Sequence, residues 1–150
     1  ICGNIWPYTF FPSDLGASVT EDFMPLISAD EYKEFGLPYV ERMSEAFGAV
    51  HIHCCGDWGR HAENLYNSKA NIKAAEFHYP CTRIEEIEIL NENTVFIPYI
   101  ILDHQDNKEF SSTIEYYDYL LANSSPQTRF WFPFCDPTEE AIAFAKKLSF

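Results

Sequence analysis

The run His51-Ile52-His53-Cys54-Cys55-Gly56-Asp57 holds the densest concentration of metal-binding side chains in the chain. Side chains two apart on a strand share a face, so an extended segment here turns His51, His53 and Cys55 one way and Val50, Ile52 and Cys54 the other. An H-x-C pair at a strand's carboxyl end suits zinc, because imidazole nitrogen and thiolate sulfur bind from neighbouring positions at about 2.0 and 2.3 Å. Cys135 offers a third ligand in Phe132-Pro133-Phe134-Cys135-Asp136-Pro137-Thr138, just before a helix whose N-terminal dipole favours a thiolate. The predicted metal set is therefore His53, Cys55 and Cys135. His51 lies deeper and reads as a hydrogen-bonded core histidine, while Cys2 and Cys54 read as small buried hydrophobes. His78 and Cys81 end the next strand-like run, where each is either a ligand or a rim residue.

Two carboxylates stand out in apolar surroundings, Asp14 in Asp14-Leu15-Gly16 and Glu76 in Ala74-Ala75-Glu76-Phe77-His78. A buried carboxylate needs a partner, and active sites supply partners. For Glu76 the alternative is an ion pair with a neighbouring strand, and Arg129 is the candidate. Glu85-Glu86-Ile87-Glu88 reads as the solvated face of a helix, and Tyr116-Tyr117-Asp118-Tyr119 as helix packing.

These residues need elements to hold them. Residues 1 to 28 show little periodicity and read as a strand end followed by a long loop that lines something. Ser28-Ala29-Asp30-Glu31 is a capping box that starts a helix over 29 to 47. Tyr32, Phe35, Tyr39, Met43 and Phe47 form its expected buried stripe, with Pro38 as a kink and Gly48 as the end. From there four strand-like runs (49 to 54, 72 to 79, 94 to 101, 128 to 134) alternate with helix-like segments (59 to 68, 82 to 91, 110 to 122, 137 to 148). This alternation implies βαβ units and a parallel sheet. An open doubly wound sheet and part of a (β/α)8 barrel compete. The first usually carries a Gly-rich phosphate turn, and the six glycines form no GxGxxG. A whole barrel needs about 250 residues, so four βα units preceded by a loop and helix correspond to the C-terminal half of one. The other half must then come from elsewhere.

The chain of 150 residues suits one domain, and its 47% hydrophobic content is enough for a packed core. Ten basic against 23 acidic residues leave a net charge of −13, which repels nucleic acid and anionic lipid. No apolar run spans a membrane and no secretory signal opens the chain, so a cytoplasmic protein is expected. The five cysteines are an odd number, which suits reduced thiols or metal ligands better than a disulfide framework. The aromatic opening without Met reads as the inside of a longer polypeptide, of which this chain is a fragment.

The pattern resembles the uroporphyrinogen decarboxylase-like superfamily of (β/α)8 barrels, over nearly all of residues 1 to 150, as its C-terminal portion. Leu26-Ile27-Ser28-Ala29-Asp30-Glu31-Tyr32 is similar to the family's ISP-x-x-Y/F helix start, and Phe35-Gly36-Leu37-Pro38-Tyr39 to its F-x-x-P-Y. His53-Cys54-Cys55-Gly56 looks like the H-x-C-G of the cobamide-dependent methyltransferase branch, and Cys135 like that branch's late cysteine. The resemblance implies zinc on His53, Cys55 and Cys135, activating an acceptor thiol for attack on the methyl group of a methylated corrinoid held by a partner protein. Asp14, Glu76 and His78 are then the candidates to orient the small-molecule acceptor or supply a fourth ligand. The family's Gly-Asn/Asp-Pro turn is replaced by Ile97-Pro98-Tyr99-Ile100-Ile101-Leu102-Asp103-His104, and the late cysteine lacks its glycine neighbours. A metal-free tetrapyrrole decarboxylase and a non-catalytic half-barrel module are the competing readings.

Overall fold

Gly16 has φ +104°, and a Cβ there would lie 2.1 Å from the Ala49 carbonyl oxygen. Only glycine fits, and the close approach lets the Ala17 N–H donate to Ala49 O at 3.0 Å. Strand β3 (Ala17–Thr20) starts there and pairs in parallel with β4 (Val50–His53). The computed structural model describes residues 16–134 and 138–148, together with the backbone of a short antiparallel pair, β1 (Gly3–Ile5) and β2 (Thr9–Phe11). Cys2, Asp14 and Cys135 lie outside the described residues.

Strands β5 (Ile72–Tyr79), β6 (Val95–Ile100) and β7 (Arg129–Phe130) complete a five-stranded, all-parallel sheet in the order β3-β4-β5-β6-β7. The expected alternation of strand and helix is thus present, with one more parallel strand than the four expected. That strand, β3, falls in the segment read as loop. Strand β7 is shorter than expected: after Trp131 N–H donates to Phe96 O the ladder ends, and Pro133 has no N–H with which to continue it.

The pleat sorts side chains into two layers. Val50 and Ile52 from β4 with Cys54 directly after it, Ala75, Phe77 and Tyr79 from β5, and Phe96 from β6 enter one core with the helices. These helices are α2 (Leu37–Phe47), α3 (Ala62–Tyr66), α4 (Ile84–Ile87), α5 (Thr113–Asn123) and α6 (Glu139–Leu148), α1 being the single turn Ala29–Glu31. They bring Val40, Leu65, Ile87, Tyr116, Leu120 and Phe144. Tyr116 and Tyr117 are helix packing, as expected. The opposite face carries His51, His53, Ala74, Glu76, His78, Ile97 and Tyr99, of which all but Tyr99 are buried. Among the described residues, no helix is long and apolar enough to cross a membrane.

The first long helical segment departs from its expected stripe. The capping box forms, with the Glu31 N–H donating to Ser28 Oγ at 3.2 Å and the Ser28 N–H to Glu31 Oε2 at 2.8 Å. Residues Tyr32–Gly36 then widen into a π-turn, the Leu37 N–H reaching Tyr32 O. The wider turn shifts the helix phase. Tyr32, Gly36, Leu37, Val40 and Ser44 are buried, whereas Phe35 (63%), Tyr39 (61%) and Phe47 (55%) are exposed. Pro38 follows the π-turn directly and has no N–H to donate back into it, so the irregularity lies in the turn that the proline leaves without a donor.

Candidate metal centre

Strands β4 and β5 register His53 against Glu76. By the two-residue pleat, His51 and His53 on one strand and Glu76 and His78 on its neighbour all face the side away from the helices. Glu76 is fully buried, and its Oε1 stands 2.7 Å from His53 Nδ1 and 3.0 Å from His78 Nε2. A carboxylate can only accept, so these contacts place protons on His53 Nδ1 and His78 Nε2. Burial works to raise the Glu76 pKa, but the bonds from His53 and His78 outweigh it and hold the carboxyl below its ordinary value. Burial likewise works to lower the His53 pKa, and the hydrogen bond and charge of Glu76, with the charge of Asp22, outweigh it and raise the imidazole above its ordinary value.

The other edge of His53 points to the thiol. Its Nε2 lies 3.2 Å from Cys55 Sγ and 3.8 Å from Asp22 Oδ1. One ligand atom each from His53, Cys55 and His78 falls within 4.8 Å of the others. A tetrahedral zinc site with bonds of about 2.0 to 2.3 Å needs ligand separations of roughly 3.3 to 3.8 Å, so the His53–Cys55 contact is already close to what an ion requires. Cys55 itself is exposed, but desolvation of its thiol, followed by the charges of Asp22 and Glu76, pushes its pKa up to about 11. A bare Cys55 is therefore a neutral thiol near pH 7 and a poor nucleophile, whereas a bound cation would turn it into a thiolate ligand.

The loop that carries Cys55 is held from both sides. The Cys55 N–H donates to Asp22 Oδ1 at 3.0 Å, and the Glu21 N–H to His53 O at 2.8 Å, which ties the end of β3 to the end of β4. Thr82, buried after β5, donates through Oγ1 to Gly56 O at 2.9 Å and accepts from the Trp58 N–H at 3.0 Å. The site thus sits where the carboxyl ends of β3, β4 and β5 are tied together.

Of the three expected ligands, the structure brings together His53 and Cys55, and Cys135 lies outside the described residues. His78 joins the first two. Glu76 and His78, expected as catalytic candidates, are in the same cluster, while Asp14 is not among the described residues. The expected Glu76–Arg129 ion pair does not form: β6 lies between β5 and β7, and Arg129 donates to Glu92 O at 2.9 Å. Cys54 is fully buried in the helix-side core and its thiol is pushed up to about 12 by burial. His51 is buried, with Nδ1 3.4 Å from Ser18 Oγ. The acidic run is not wholly a solvated face, since Glu88 Oε1 accepts from the Ser125 N–H and the Thr128 hydroxyl. Asp22 was missed at the sequence level, and its only signal was a carboxylate following the short β-like run Ala17-Ser18-Val19-Thr20. Compared with known proteins, the chain matches no family model, no curated protein and no solved structure.

Proposed function

We propose that this chain is the C-terminal half of a (β/α)8 barrel whose inner face carries a zinc centre for methyl transfer from a corrinoid-bound methyl group to a thiol-type acceptor. The observation that carries the reading is His53, whose Nδ1 is bonded to Glu76 while its Nε2 faces Cys55 at 3.2 Å. Carboxylate, imidazole and thiol in that sequence form the arrangement in which a metal-binding histidine has its remote nitrogen fixed by an acid. His53, Cys55 and His78 would hold the ion, with Cys135 as the further thiol the resemblance implies. Bound zinc would supply a Lewis acid that keeps an acceptor thiol ionised at neutral pH. Asp22, half-exposed beside Cys55, stands where an incoming acceptor would pass, and Asp14 is the second carboxylate proposed to orient it. The methyl donor would arrive on a corrinoid protein.

The strand order supports the barrel. A doubly wound sheet reverses its order at a switch point, and here five parallel strands run in unbroken succession. Against the decarboxylase reading, Arg42, Arg60, Arg83 and Arg129 are all exposed, and Arg129, though on the sheet face of Glu76, stands two strands away with its guanidinium on Glu92 O at 2.9 Å. Elemental analysis of the purified protein tests the proposal, followed by incubation with methylcobalamin and a small thiol while the corrinoid absorbance is monitored. Stoichiometric zinc and thiol-dependent demethylation are expected. Protein that takes up no zinc would overturn the reading and leave the binding-module alternative.

A further inference from the structure

We infer that Glu76 is a positioning residue that selects which nitrogen of each histidine faces the ion: Nε2 of His53 and Nδ1 of His78. The inference rests on the metal centre proposed above and adds to it a residue that binds no metal itself. A single oxygen, Oε1, receives both rings, from His53 Nδ1 at 2.7 Å and from His78 Nε2 at 3.0 Å. The second oxygen, Oε2, is buried and makes no hydrogen bond among the described residues. Because Glu76 offers the two histidines acceptors and no donor, each ring has its proton on the Glu76 side and its lone pair on the other.

The ring planes are fixed by packing as well as by this oxygen. His78 stacks on Tyr99 with centroids 5.1 Å apart and planes 29° apart, and meets His53 edge-on at 5.7 Å and 85°. Rotation of His78 about its stem would therefore break both the stack and the bond to Glu76. The two histidines approach one carboxylate from adjacent strands, so a single side chain sets the binding atoms of two ligands. The buried negative charge also offsets part of the ion's charge. A glutamine would keep the packing and an oxygen able to accept from the rings but lose the charge, so its effect reads the charge-assisted hold on the two rings and the ion rather than the filling of space.

Two measurements test this. Long-range proton–nitrogen NMR of the metal-free wild type, at about pH 9 and so above the ordinary imidazole pKa of about 6.5, should show His53 as the Nδ1–H tautomer and His78 as the Nε2–H tautomer. His53 protonated on Nε2 would overturn the inference. Zinc affinity, from competition with a chromophoric chelator, should fall roughly 10- to 100-fold in Glu76→Gln, with the far-UV circular dichroism of the wild type retained. Equal zinc affinity in wild type and Glu76→Gln would also overturn it while leaving the zinc reading intact. If Glu76→Gln does not fold, the wild-type tautomers decide alone. A wild type that binds no zinc defeats the metal reading, and the tautomers, read without metal, still decide whether Glu76 orients both rings.

Discussion

Gly36 lies so close to the ring of Tyr32 that a Cβ on it would stand 2.6 Å from Cδ2 and 2.7 Å from Cε2. Tyr32 is fully buried and packs against Phe23 and His61, at centroid distances of 6.1 and 4.9 Å, so it has little room to retreat. Alanine gains about 1 kcal/mol over glycine in helix propensity, but overpacking a filled core costs about 1 to 3 kcal/mol. Gly36→Ala should therefore be neutral to destabilising by about 2 kcal/mol, against the stabilisation propensity alone would give. Urea denaturation measures it, and a clear gain in stability would show that the π-turn relaxes around the new methyl group.

The two adjacent cysteines should behave differently. Cys54 faces the helix-side core and Cys55 the metal centre. Cys54→Ala should leave zinc content unchanged, whereas Cys55→Ala should abolish it. Equal loss from both variants would assign the metal to a different set of thiols.

His61 makes stability depend on acid. It is fully buried, its Nε2 donates to Met24 O at 2.8 Å, and its Nδ1 has no hydrogen-bond partner among the described residues. Burial, outweighing the bond to Met24, lowers its pKa. A folded value below the unfolded one means that the unfolded chain takes up the proton first. The contribution is thus whole above about pH 6.5, the unfolded value, and is lost as the pH falls from there through the folded value. His61→Phe should flatten the fall in melting temperature between about pH 6.5 and 5. An unchanged slope would assign that acid sensitivity to other groups.

The capping box at the start of α1 gives a simpler test. Ser28 Oγ accepts from the Glu31 N–H, and Glu31 returns the bond to the Ser28 N–H. Ser28→Ala should cost about 1 kcal/mol, read from the shift of the denaturation midpoint, while zinc content stays constant because the box lies outside the ligand cluster.

The sequence made the alternation of strands and helices legible because runs such as Val95–Ile100 are apolar and separated by longer charged segments. Strand β3 was not legible. Its four residues carry Ser18 and Thr20 toward the polar face, and Val19 alone marks the core side, too little for a periodic signal. The helical stripe failed for another reason: a π-turn shifts the phase, and nothing in Tyr32-Lys33-Glu34-Phe35-Gly36 announces it. The exposed Tyr39 ring is instead capped by the Arg42 guanidinium at 4.5 Å. At the metal centre, the two-residue pleat grouped His53 with Cys55, while Glu76 and His78 were singled out separately. Joining the two pairs needed the register His53 to Glu76, which no single strand contains.

The unbroken strand order also governs how the sheet can assemble. Each pairing joins consecutive units, with partner residues between 21 positions apart, as for Ala74 and Val95, and 34 apart, as for Val95 and Arg129. Loop-closure entropy varies by less than about 1 kcal/mol over that range, so chain connectivity favours no pairing, and side-chain burial is left to choose the starting point. Strand β5, the longest and almost wholly buried, is bordered on both sides, whereas β7 offers only two residues. Assembly outward from β5 follows, and backbone amides there should exchange with deuterium most slowly, with protection declining toward β3 on one side and β7 on the other.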